Sequence, residues 1–295
     1  MLANKNKFKG NFVLKTLISI FTIIILTICN VSAEAKKFNM VFVPASEKGD
    51  ENDYTGLVNI VNELTGFEIK FIKVTDYNAA VEAMRADRAQ IAWYGGKTYI
   101  KAAELANAEA FAAGVRPGEK DAGYFTYFVV RADSNLKNFS DVKGKVLSLN
   151  SIGSTSGDLI PQVELAKIKL STTNKNDFKK VFYAGSHDAC LLAVLNKQAD
   201  VCGMSSRNFE ARLADKTFKR GDVRILHKSD RVPPPPLAYS KKIPLEDRKK
   251  IQKAVLEAHN HGKIGGYGGQ MSHYVLVKDS DYDVLRNVVK LLNKK

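Results

Sequence analysis

The chain has 295 residues, 45 Lys+Arg against 31 Asp+Glu, a formal net charge of +14, and 45% hydrophobic residues. That balance is ordinary for a globular protein and excludes a disordered chain, a fibre and a polytopic membrane protein. Three cysteines are too few for a disulfide framework or a cysteine-rich zinc domain, and the length exceeds what one core usually serves, so two lobes are expected.

The first predicted segment is not part of the fold. Lys5, Lys7, Lys9 and Lys15 come without an acid, and an apolar run follows over 16–28, of signal-peptide length and too short to span a bilayer comfortably. Val31-Ser-Ala33 and Ala33-Glu-Ala35 both offer small residues to a signal peptidase. An uncleaved anchor is the alternative. A lipoprotein would use Cys29, but Ile28 before it is too bulky. Residues 1–33 are therefore expected to be a cleaved signal peptide, with the mature chain in the periplasm. Cleavage removes four lysines and no acid, so +10 remains. The remaining lysines are scattered, with no basic stripe interleaved with aromatics, so no nucleic-acid partner is expected. The excess suggests at most a mild attraction for anions.

Along the mature chain, 38–43 reads as a buried strand. Apolar residues at 57, 58, 60, 61 and 64 predict a helix stopped by Gly66. Residues 67–72 alternate as a strand, Asp76 reads as the N-cap of a helix to Arg88, and 91–94 is the next strand, closed by Gly95-Gly96. This is the grammar of a mostly parallel sheet flanked by helices. It repeats after a β-rich run over 123–130, with strands at 145–149, 181–183, 199–203 and 223–226 and helices at 158–169, 186–197 and 207–215. Four prolines at 233–236 make a stiff extended connection, and two helical patterns, 245–259 and 282–292, end the chain. Two α/β lobes joined by extended crossings near 124–130 and 233–239 would form a hinged clamshell, with the ligand at the carboxyl ends of the strands.

The most informative stretch is Ser151-Ile-Gly-Ser-Thr-Ser-Gly-Asp-Leu-Ile-Pro161, which follows a strand and opens a helix. A helix N-terminus favours an anion through its unpaired N–H groups and dipole, and Ser154, Thr155 and Ser156 could add hydroxyl donors. A Ser/Thr cap over a polar turn would look the same, and the pattern leaves both readings open. No Gly-Lys-Ser/Thr follows, so it is not a Walker motif. His187 sits at a second helix start, where it could donate to an anion or simply be solvated beside a capping Ser186. Tyr94 ends a strand and Tyr54 starts a helix at the mouth of the first strand, near the expected crevice, where a phenol could wall a small ligand. Trp93 reads as core. Cys190 and Cys202 are expected as free buried thiols, because a helix and the next strand usually hold Cα atoms too far apart to pair. The histidines have no metal-ligand spacing, and no supported nucleophile–base pair is visible. No metal, cofactor or enzymatic activity is expected.

At Asp87-Arg-Ala-Gln-Ile-Ala-Trp-Tyr-Gly95, Gly123-Tyr-Phe, Gly153-Ser-Thr-Ser-Gly157-Asp-Leu-Ile-Pro161 and 178–201, the chain resembles the periplasmic phosphonate/phosphite-binding proteins of ABC importers. The resemblance implies a type II periplasmic binding protein fold and ligand contacts at Ser154, Thr155, Ser156, Tyr94, His187 and Tyr54. It departs where aminoalkylphosphonate binders of the family hold an ammonium with acidic side chains. The segments Gly203-Met-Ser-Ser-Arg-Asn208 and Pro233-Pro-Pro-Pro-Leu-Ala238 contain no carboxylate. An unpaired ligand cation in a closed crevice would be costly. A small ligand without an amine, such as phosphite or methylphosphonate, is therefore expected.

The lobes are expected at 34–126 plus 238–295 and at 127–237. The partners expected are a small oxyanion and an inner-membrane ABC permease, with the binding protein a monomer. A sensory protein of the same fold, reporting phosphate or arsenite to a sensor kinase, is the alternative. An exported phosphatase is the third.

Overall fold

The computed structural model describes residues 34–46 and 50–292. The expected signal peptide, 1–33, lies outside them. The described residues from Lys37 onward form one compact unit.

The chain begins with β1 (Lys37–Phe42), α1 (Asp50–Thr65), β2 (Glu68–Ile72), α2 (Tyr77–Arg85), β3 (Ile91–Trp93), α3 (Gly96–Ala106) and β4 (Ala108–Val115). β1 pairs in parallel with both β2 and β3, as alternating strands and helices require. Gly66 ends α1 at φ +70°, a left-handed position that favours glycine. The Asp76 side chain accepts from the N–H groups of Asn78 and Ala79 at 2.8 and 2.9 Å and starts α2. That helix buries Tyr77, Ala80, Val81 and Met84 against the sheet.

The chain then crosses to a second sheet. β5 (Thr126–Arg131) leads to β6 (Val146–Leu149), α4 (Ile160–Lys167), β7 (Lys180–Tyr183), α5 (His187–Leu195), β8 (Val201–Ser205), α6 (Ser206–Ala214) and β9 (Val223–Lys228). The strand order is β7-β6-β8-β5-β9. β6 runs parallel to β7 and β8, and β5 is antiparallel to β8 and β9. Phe128 and Val130 pack in one apolar cluster with Leu147 and Leu165, and the intervening Val129 packs in another with Leu191 and Phe209, so the sheet buries both faces.

The return brings β10 (Leu237–Ser240), antiparallel between β3 and β4, then α7 (Leu245–Glu257). A hairpin of β11 (Ile264–Gly266) and β12 (Gly269–Met271) leads to β13 (His273–Leu276) on the edge of β4 and to α8 (Asp283–Leu292). The first sheet reads β13-β4-β10-β3-β1-β2. The two crossings, 116–125 and 229–236, pair with each other: Tyr124 N–H donates to Val232 O at 3.1 Å, and Val232 N–H returns to Tyr124 O at 2.8 Å.

The pattern reading missed α3, β4 and the hairpin. α3 starts at Gly95-Gly96 with no side-chain cap. β4 is Ala-Glu-Ala-Phe-Ala-Ala-Gly-Val, alanine-rich and helix-favouring by propensity, yet buried along almost its whole length. The run over 123–130 is only partly a crossing, since Thr126–Arg131 is a strand of the second sheet. The expectation of free thiols is corrected. Cys190 and Cys202 form a disulfide with Cα atoms 5.7 Å apart, because Cys190 lies on the face of α5 that packs directly onto β8. Both residues are fully buried.

Candidate functional site

β6, β7 and β8 are parallel, so the helices that follow them all start at one edge of the second sheet. Each start is capped by a serine. Ser154 Oγ accepts from Gly157 N–H at 3.0 Å, Ser186 Oγ from Ala189 N–H at 3.0 Å, and Ser205 Oγ from Arg207 N–H at 3.2 Å. Three positive helix ends therefore gather at one place. The first is unusual: Thr155–Leu159 forms a π-helical turn before α4 continues with Pro161 in its first turn. π turns are rare and concentrate at functional sites.

Ser154, Thr155 and Ser156 on this turn are each 2% exposed. Ser154 Oγ also accepts from Asn150 Nδ2 at 3.3 Å, and Thr155 Oγ1 accepts from Lys97 N–H at 2.8 Å. With oxygen lone pairs engaged, these two hydroxyls retain O–H groups to donate. Tyr124 brings its hydroxyl into hydrogen-bond contact with Ser156 and Thr155, and burial raises its pKa. His187, first residue of α5, is 1% exposed. Ser205 N–H donates to its Nδ1 at 3.3 Å, so the ring hydrogen sits on Nε2. Burial holds its pKa down at about 3, which keeps the ring neutral and a donor without charge. A Cβ on Gly157 would lie 2.3 Å from Asn150 Cβ and 3.0 Å from His187 Cε1, so glycine is what lets His187 approach the turn.

The first sheet faces this turn closely. Thr98 Oγ1 donates to Gly153 O at 2.8 Å, and Asn150 Nδ2 donates to Tyr77 OH at 3.3 Å. Lys97 Nζ reaches Ile152 O and the buried Asp158 Oδ2, both at 2.5 Å. Tyr54 OH accepts from Tyr267 N–H at 3.1 Å in the hairpin turn. Trp93 packs on Tyr267 with ring centroids 4.6 Å apart and planes tilted by 36°, and Tyr267 lies 6.4 Å edge-on from Tyr124. The structure therefore groups Ser154, Thr155, Ser156 and His187 with Tyr124, and sets Tyr54 in an aromatic wall with Trp93 and Tyr267.

Tyr94 does not join them. It is fully buried, its hydroxyl donates to Ala80 O at 3.2 Å behind α2, and burial raises its pKa. Adjacent strand residues point to opposite faces, so Trp93, buried in the core as expected, packs on the side of Tyr54 and Tyr267 while Tyr94 turns away from it. Sequence reasoning also passed over Tyr124, Tyr77, Asn150, Tyr267 and Arg207. Tyr124 lay inside a segment already quoted for its resemblance. Tyr267 was hidden in a glycine-rich tail that reads as loop.

Arg207 is 2% exposed. Its Nη2 donates to Ala122 O at 2.8 Å and Gly114 O at 3.1 Å and meets Glu119 Oε2 at 3.4 Å. Burial lowers its pKa and Glu119 opposes the shift. Neighbouring Asn208 accepts from Tyr267 OH through Oδ1. Among the described residues no group of three or more His, Cys, Asp or Glu could hold a metal ion, and no helix is long and apolar enough to cross a membrane.

Solved structures with this architecture are periplasmic binding proteins of the type II fold. A binding-protein component of an ABC phosphonate transporter from Pseudomonas aeruginosa superposes with a TM-score of 0.75 at 22% identity, covering 86% of each chain. A Prochlorococcus marinus protein solved with methylphosphonate gives 0.71 at 19% identity, covering 88% of this chain and 99% of that one. Residues 40–282 match the family described as ABC transporter, phosphonate, periplasmic substrate-binding protein, and the chain belongs to that family. The phosphonates-binding periplasmic protein of Escherichia coli is 28% identical over 223 residues, 74% of this chain. The match spans 64% of that relative's length.

Proposed function

We propose that the protein is the periplasmic receptor of an ABC importer and captures a small phosphorus oxyanion without an amine, such as phosphite or methylphosphonate. The observation that carries this is the buried Ser154-Thr-Ser156 turn, where hydroxyl donors, a helix N-terminus and the neutral His187 converge. An oxyanion needs several donors and little else, and donors held in place before binding require no reorganisation. Tyr124 and Tyr54 complete the wall, and Tyr94 stands behind it. The E. coli relative is named for phosphonates and the P. marinus structure holds methylphosphonate, which supports the same class.

Lobes at 34–126 plus 238–295 and at 127–237 close on the ligand about the paired crossings at Tyr124 and Val232. The closed monomer is the form that an inner-membrane permease recognises. A thermal-shift panel of phosphite, methylphosphonate, 2-aminoethylphosphonate, phosphate, sulfate and arsenite on dialysed protein tests the reading. A ligand at one hundred times its Kd adds about 2.7 kcal/mol, which raises the midpoint by roughly 5–11 °C for a chain of this size. Such a shift with phosphite or methylphosphonate, and none with 2-aminoethylphosphonate or sulfate, is expected. A shift with 2-aminoethylphosphonate alone, or with none of the phosphorus compounds, would overturn the proposal.

A further inference from the structure

We propose that Arg207 and Asn208 form a second subsite at the far end of the same crevice, built for an acidic group, so that the favoured ligand is a phosphonate with a carboxylate on a short spacer. This rests on the oxyanion reading above and adds the chemistry of the ligand's other end.

Arg207 belongs to the third of the three capped helix starts. All its side-chain hydrogen bonds leave from Nη2, to Gly114 O, Ala122 O and Glu119. Nε is buried without a partner. A buried guanidinium with an idle donor is costly, and its ion-pair partner Glu119 is a third exposed and 3.4 Å away. Position says what would complete it. Tyr124 places its hydroxyl on Ser156 and Thr155, and Arg207 Cζ lies 6.0 Å from the centroid of its ring. The oxyanion turn and the guanidinium thus both neighbour one tyrosine, and a phosphonate with a short acid arm would run from the one to the other. Asn208, equally buried, has its carbonyl occupied by Tyr267, so what it offers a ligand is N–H. Donors and a positive charge suit a carboxylate, while an ammonium there meets like charge at low dielectric.

A purely structural clasp between Arg207 and the Gly114 and Ala122 carbonyls is the competing account, and ligand selectivity separates the two. Isothermal titration of the purified protein would compare methylphosphonate, phosphonoacetate and 2-aminoethylphosphonate. Phosphonoacetate should bind at least about tenfold more tightly than methylphosphonate, consistent with one added charge-assisted bond, and 2-aminoethylphosphonate most weakly. Arg207→Met should bring the phosphonoacetate-to-methylphosphonate ratio to about one, and Arg207→Lys should keep much of it, since the charge remains. An unchanged ratio in Arg207→Met means a clasp and overturns the subsite. If neither Arg207 variant folds, the wild-type order decides: phosphonoacetate no tighter than methylphosphonate overturns the subsite alone. Failure of all three ligands and of phosphite would instead remove the oxyanion reading, and the subsite with it.

Discussion

Gly153→Ala tests whether the oxyanion turn and the first sheet meet in the ligand-bound state. Gly153 is not at a left-handed backbone position, so alanine brings no local strain. Its Cβ would lie 2.3 Å from Tyr77 Cβ and 2.9 Å from Tyr77 Cγ. A contact between two Cβ atoms cannot be relieved by a rotamer, so turn and α2 must separate by about 1.2–1.7 Å to reach ordinary packing distance. That movement stretches three hydrogen bonds: Thr98 to Gly153 O at 2.8 Å, Lys97 N–H to Thr155 at 2.8 Å, and Asn150 to Tyr77 at 3.3 Å. At about 1 kcal/mol each, partly lost, the bound form is destabilised by about 2–3 kcal/mol. The Kd for methylphosphonate should therefore rise about 30- to 150-fold. On the proposed clamshell the ligand-free melting temperature should change little, because opened lobes would hold these atoms apart. Titration calorimetry and a ligand-free melt read the two quantities. An unchanged Kd would refute the apposition, and a ligand-free melting loss equal to the binding loss would show damage to one half rather than a wedge between two.

Three further outcomes are expected. Ser154→Ala with Thr155→Ala removes two hydroxyl donors at about 1.5–3 kcal/mol each for a charged acceptor, so affinity should fall at least about 100-fold; retained affinity in a folded double variant rejects the turn as the site. His187 has a folded pKa of about 3 against about 6.5 unfolded, so its burial stabilises the fold fully above pH 6.5 and progressively less as pH falls toward 3. Urea unfolding should show about 3 kcal/mol lost from this group between pH 7 and pH 4, and His187→Gln should flatten the curve; parallel curves would contradict the assignment. The Cys190–Cys202 bridge closes a loop of sequence separation 12, worth about 3 kcal/mol. Reduction should lower the melting temperature by roughly 6–12 °C, and no change on reduction would mean unpaired thiols.

Where side chains have a period or a punctuation mark, the fold was legible. Asp76 capped α2 as read, and β1, β2 and the parallel core of the second sheet followed from their apolar runs. The failures have physical causes. β4 is a strand because β13 and β10 pair with it on either side, a long-range cause that its alanines do not express. Cys190 and Cys202 pair because one helix turn faces one strand position, a matter of rotation about a helix axis that residue spacing leaves open. The capping reading of Ser154 holds, since its oxygen accepts from Gly157 N–H, and that bond leaves the hydroxyl hydrogen for the proposed anion contact.

The architecture and the side chains divide the work of recognition. Parallel strands bring three helix N-termini to one edge, and any sequence with this topology inherits the preference for an anion there. On the proposed reading, the π turn, Gly157 and the buried His187 narrow that preference to a tetrahedral oxyanion approached closely from several sides. Nothing in the backbone decides what the rest of the ligand is. On the proposed subsite, that choice falls to the side chains of α6, where the buried Arg207 and Asn208 would offer a positive charge and donors rather than carboxylates. The disulfide between α5 and β8 fastens the elements that carry His187 and its Ser205 partner, so the donor geometry is tied into the core rather than to the surface. A change at Arg207 should therefore redirect selectivity, whereas a change at the bridge should loosen affinity for every ligand alike.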